Sequence, residues 1–228
     1  NTWNLLFNQL ISEGKLDKNT FVENAILIQT KEWNNNLKLF FRKLLEDVNA
    51  TTEDLIPFQE NIFTYFHNSN PTIVNYGAEL VKKIYDHPKF KTKSYLEWVE
   101  SLMMRNDCKA AIKSSLMILE KLSKSNPKLS KQIALLTADI FIISDLNIQE
   151  RATKLLLKIG TEKDAALSEK LASYVSFMQG SIKTSLSKFL SDEDLMVDEA
   201  SLEQYQFKNE KTKVLVEEVE IPKDWNDI

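Results

Sequence analysis

The chain has 228 residues, 43% hydrophobic and 27% charged, which supplies a continuous core under an ordinary solvated surface. Four glycines and five prolines are too few for an all-β fold or a Gly-rich nucleotide loop, so the chain reads as mostly helical. A single cysteine excludes an internal disulfide and a Cys-based zinc site, and the net charge of −4 is modest.

Apolar residues then recur at helical spacing from one end of the chain to the other. Trp3, Phe7 and Ile11 open the series, and a helix is predicted over 21–33. Leu37, Phe41, Leu45 and Val48 mark the next stripe, followed by a helix over 55–67 with Pro57 in its first turn. Ile73, Gly77, Val81 and Ile84 repeat the stripe, then a helix over 94–104, then Ala111, Ser115, Leu119 and Leu122. Asn126 and Pro127 lead into a helix over 131–143, an apolar stretch broken by Thr137 and Asp139 and far short of the ~20 residues that cross a bilayer. The clearest stripe follows over 148–160, I-Q-E-R-A-T-K-L-L-L-K-I-G, with Asp145 placed to cap it and Gly160 to stop it. Ile182, Leu186 and Leu190 form a degenerate last copy.

The first residues of the four central stripes, Leu37, Ile73, Ala111 and Ile148, are 36, 38 and 37 residues apart. The second position is small in three copies (Gly77, Ser115, Ala152), as close helix packing requires. Alternating helices at this period describe α-hairpins that bury their apolar faces only by stacking. The 148–160 segment resembles the second helix of the HEAT repeat, roughly V-R-x-x-A-x-x-x-L-x-x-I-G, with Gln149 where that pattern has Arg. Val74, Ile112 and Lys38 occupy that position in the other copies. The resemblance covers residues 20–160 and implies an all-α, α-α superhelix, a HEAT/armadillo-like solenoid of about five helix pairs over 1–190.

Charge divides the chain. From Ser191 onward twelve acids face four lysines, a net of −8, whereas the preceding 190 residues carry 25 basic and 21 acidic side chains, a net of +4. Residues 191–228 are expected to form a mostly irregular acidic tail or linker. Its apolar residues, among them Leu202, Tyr205, Phe207, Val214 and Val216, are expected to hold it back along the solenoid, partly extended, with its acids near the lysines. The tail's end, V-E-I-P-K-D-W-N-D-I, is similar to a linker in a family of large bacterial HEAT-like proteins. That resemblance implies one module of a longer protein and brings no activity with it. Residue 1 is Asn rather than Met, which fits an excised or processed chain.

No catalytic signature is present, and no catalytic, cofactor or metal site is predicted. His67 and His87 are 20 positions apart, one at a helix end and one before Pro88, and neither has acids at ligand spacing. Glu97 and Glu100 are an ordinary surface pair, and Cys108 has no evident activating base. One periodic feature stands out. Lys83, Lys121 and Lys158 occupy the same template position, so stacking places them in a row able to hold an acidic partner strand, a phosphate backbone or the chain's own acidic tail.

The function expected from these residues is a non-catalytic protein–protein interaction scaffold with a protein partner, in the cytoplasm, as the unpaired cysteine and absence of a membrane span fit. Its oligomeric state is not legible in the sequence. The alternative is a HEAT-like DNA glycosylase of the alkylpurine type, loosely echoed by Trp98 and Glu100, or another nucleic-acid-binding solenoid. A body of only +4 opposes both, since DNA binding draws most of its strength from phosphate neutralisation.

Overall fold

In the computed structural model, which describes residues 2–196, all regular structure is helical. Helix α1 (Thr2–Ser12) precedes five helix pairs. In the first pair, α2 (Lys18–Leu27) runs into a 3-10 turn, Ile28–Thr30, and returns as α3 (Asn35–Asp47). In the second, α4 (Thr52–Leu55) and α5 (Gln59–Phe63), joined by a turn containing Pro57, end in the 3-10 turn Thr64–His67 before α6 (Pro71–Ile84). Helix α7 (Thr92–Val99) with turn Glu100–Met104 pairs with α8 (Lys109–Ser125). Helix α9 (Ser130–Ala138) with turn Asp139–Ile142 pairs with α10 (Leu146–Ile159). Helix α11 (Ala165–Ala172) with turn Val175–Phe177 pairs with the short α12 (Ile182–Ser185), and α13 (Asp192–Leu195) follows, capped by Ser191.

Two layers result. First members touch along one side, α2 on α5 and α5 on α7, and the 3-10 turns at 64–67, 100–104, 139–142 and 175–177 touch in series. Second members stack on the other side, α6 on α8, α8 on α10 and α10 on α12. One apolar cluster runs between the layers from Phe21 to Phe189. The chain is therefore an all-α superhelix of paired helices. Among the described residues no helix is long and apolar enough to cross a membrane. The extended segment and the docking expected of the tail fall outside the described residues from position 197 onward.

The first helices begin earlier than their apolar stripes. Asp17 accepts Thr20 N at 2.7 Å, Thr51 and Asp54 form a reciprocal capping box, and Asn126 accepts Lys128 N at 3.3 Å. Polar capping turns lie ahead of the first buried residue, so periodicity alone places each start a few residues late. Asp145 caps α10 as expected, its Oδ1 taking Ile148 N at 3.1 Å.

The small template positions Gly77, Ser115 and Ala152 are all buried. A Cβ at Gly77 would lie 2.8 Å from the Cβ of Tyr65, whose hydroxyl donates to the Ile26 carbonyl at 2.6 Å in the preceding pair. The glycine thus makes room for a cross-pair hydrogen bond. Gly160 does not stop α10 through a left-handed turn: its φ is −71°, and a Cβ there would lie 2.9 Å from the Phe189 ring. Helix α3 departs from the template. Leu37 is 39% exposed and Lys38 nearly buried, since α3 has only α1 beyond it.

Buried glutamines fasten the stack, Gln149 and Gln59 between successive pairs and Gln29 within the first pair. The Gln149 amide donates to the carbonyls of Phe141 at 3.1 Å, Ile143 at 3.0 Å and Phe177 at 2.8 Å, and its oxygen accepts Gln179 N at 2.9 Å. Gln59 donates to Ile56 and Lys89 carbonyls and accepts Lys91 N, tying the second pair to the third. Gln29 holds the Ala25 and Lys38 carbonyls and accepts Arg42 Nε at 2.7 Å. These side chains satisfy backbone groups that tightened helix ends and the following loops leave over.

Candidate interaction face

The two layers differ in charge. Helices α3, α6, α8 and α10 carry twelve Lys or Arg against five Asp or Glu. The first members, at 18–30, 52–67, 92–104, 127–142 and 165–177, carry five against eight. The mild positive charge of the body is therefore concentrated on the second-helix layer. Inward stripes of Ile, Val, Leu and small residues turn most lysines of these helices outward, the buried Lys38 of α3 excepted.

Lys83, Lys121 and Lys158 are all exposed on this layer, on α6, α8 and α10. Two of them reach back to the preceding helix. Lys121 Nζ lies 2.8 Å from the Tyr85 hydroxyl and 5.3 Å from the centre of its ring, and that hydrogen bond raises the lysine's pKa. Lys158 pairs with Glu120 at 2.7 Å, and Lys124 joins the same carboxylate at 3.0 Å. Hydrogen bonds from Lys158 first and then Lys124 hold Glu120 below the usual carboxylate range. The row is thus interleaved with hydrogen bonds and one shared acid.

Sequence reasoning missed the groove beside it. Between α8 and α10 lies an open groove of about 220 Å3, lined by the apolar Leu116, Met117 and Leu155, by Arg151, Lys154 and Lys158, and by one acid, Glu120. Arg151 and Lys154 are exposed and have no ion-pair partner among the described residues. Some lysines are engaged, as in Lys109–Asp145, Lys131–Asp164 and Lys170–Asp139, while Lys82, Lys83 and Lys113 of the same layer likewise have no ion-pair partner among the described residues. The spacing 151, 154, 158 on one helix was the available signal.

The remaining polar residues serve the fold. His87 donates from Nε2 towards Glu53 at 3.0 Å and accepts Lys89 N through Nδ1, which fixes the loop after α6. His67 packs against Trp98 with ring centroids 4.5 Å apart. Glu97 and Glu100 are exposed on the first-helix layer with Trp98, away from the layer that carries Lys83 and Lys121. Cys108 is fully buried at the start of α8, and burial pushes its thiol up to about 11, against the nearby Arg105 guanidinium. Such a thiol is protonated near neutral pH and a poor nucleophile. Among the described residues no group of three or more His, Cys, Asp or Glu is placed to hold a metal ion.

Residues 1–110 match the model of a family described as a domain of unknown function (DUF6493), a little under half of the chain. No curated protein and no solved structure matches the chain. The matched region takes in Lys83 and ends two residues into α8, so Lys121, Lys158 and the groove lie beyond it.

Proposed function

We propose that this chain is a non-catalytic protein-interaction scaffold, a HEAT-like solenoid module of the cytoplasm whose second-helix layer holds an acidic segment of a partner protein. One observation carries the reading: a layer with twelve basic and five acidic side chains, backed by a layer with five and eight. A field of one sign on one side of a stack steers and orients an oppositely charged partner. Nucleic acid is the weaker reading. Duplex binding draws most of its strength from neutralising many phosphates, and the first 190 residues carry a net charge of only +4.

Fluorescence anisotropy of the full chain with a labelled glutamate-rich peptide and a short DNA duplex, at about 50 and 200 mM salt, tests this. The peptide is expected to bind in a salt-sensitive manner and the duplex at least about tenfold more weakly. Tighter binding to the duplex would reassign the face to nucleic acid.

A further inference from the structure

The α8–α10 groove makes the partner's chemistry more specific. Its apolar lining is Met117 with the buried Leu116 and Leu155, and its charged lining is three cations, Arg151, Lys154 and Lys158, with Glu120. Arg151 and Lys154 are unpaired among the described residues, while Lys158 is tied to Glu120 at 2.7 Å. A purely polar ligand would leave the apolar lining wet, and a purely apolar one would leave two cations without counter-charge. Both needs are met by one ligand. From this geometry we infer that the groove receives a peptide segment bearing an apolar anchor side chain flanked by acidic residues. The anchor lies on Met117 between the helices, and the flanking carboxylates meet Arg151 and Lys154.

Arg151 is suited to the central contact, because its planar guanidinium engages a carboxylate through two parallel hydrogen bonds and is less strongly hydrated than an ammonium. Lys154 and Lys158 follow at one and two turns along α10, so an acidic run lying along the helix meets a cation at each turn. Glu120 sets a polarity on the site. It stands at the Lys158 end, so carboxylates at the Arg151 and Lys154 end meet no fixed acid in the groove lining. The anchor supplies affinity and the acids supply orientation.

This inference rests on the scaffold reading above, and the experiment separates the two. Two labelled nine-residue peptides of glutamates, one with a central leucine and one with a central serine, are titrated against the full chain. They are titrated also against Met117→Gln and against the exposed double variant Arg151→Glu/Lys154→Glu. Burying a leucine side chain against the apolar lining corresponds to roughly tenfold or more in affinity. The leucine peptide is therefore expected to bind at least about tenfold tighter than the serine peptide. Met117→Gln is expected to erase that preference while leaving serine-peptide binding in place, and the double reversal to weaken both. Equal affinity for the two peptides would overturn the groove while leaving the cationic layer standing. A leucine preference that survives both variants would place the anchor elsewhere. Failure of both peptides to bind would remove the layer reading and the groove together.

Discussion

Replacing Gln149 with leucine is expected to destabilise the protein by about 3 kcal/mol, because unpaired buried polar groups each carry a desolvation penalty of roughly 1–3 kcal/mol. The substitution leaves the buried carbonyls of Phe141 and Ile143 and the part-buried Phe177 carbonyl and Gln179 N–H without the fully buried side chain that partners them. Leucine regains part of this through its own apolar burial, which keeps the total below the sum of the separate penalties. For a chain of this size the thermal midpoint is expected to fall by roughly 6–12 °C, at about 2–4 °C per kcal/mol. The loss should also be local. Phe177 and Gln179 belong to the fifth pair, so amide exchange should accelerate across 165–189 well before it does in α6 and α8. A midpoint unchanged within error, or uniform acceleration, would show that Gln149 does not fasten the last pair.

Gly77→Ala reverses an ordinary rule. In a helix interior the change usually stabilises by about 1 kcal/mol. Here the added Cβ meets Tyr65 Cβ at 2.8 Å and Cδ2 at 3.2 Å, so the segment 64–67 must move away from α6. Overpacking of this kind costs roughly 1–3 kcal/mol. Movement of Tyr65 also breaks its hydrogen bond to the Ile26 carbonyl, which is fully buried. Tyr65→Phe should then be damaging in the parent chain and nearly silent with Gly77→Ala, a coupling of about 1 kcal/mol in a double-mutant cycle. Additive effects, or stabilisation by alanine, would mean that Gly77 is present for some reason other than the passage of Tyr65.

The fold was legible because the evidence for it is periodic and local. The stripe through Ile148, Ala152 and Leu156, and its copies through Gly77 and Ser115, state which side of each second helix is buried. A period near 37 residues states that the helices stack. The parts that were not legible depend on contacts distant in sequence. Tyr65 and Ile26 are 39 residues apart, and Gln149 and Phe177 are 28 apart, so no local pattern announces either bond. Gln149 looked like a departure from the HEAT pattern at the position of an arginine, whereas it is the hub between two pairs. At the face, the common template position revealed Lys83, Lys121 and Lys158 but not that Tyr85 and Glu120 engage two of them. Arg151 and Lys154 were readable as basic residues. That they flank a partly apolar groove depends on how α8 lies against α10.

The second-helix layer as the binding face is tested most directly by lysine labelling. The full chain is acetylated briefly with and without the leucine-bearing glutamate peptide, and modification is read residue by residue by mass spectrometry. Lys121, Lys154 and Lys158, exposed on the second-helix layer, are predicted to be shielded by the peptide. Lys93 and Lys128, exposed on the first-helix layer, are predicted to react equally in both samples. Shielding of Lys93 and Lys128 with Lys154 and Lys158 unprotected would contradict the account.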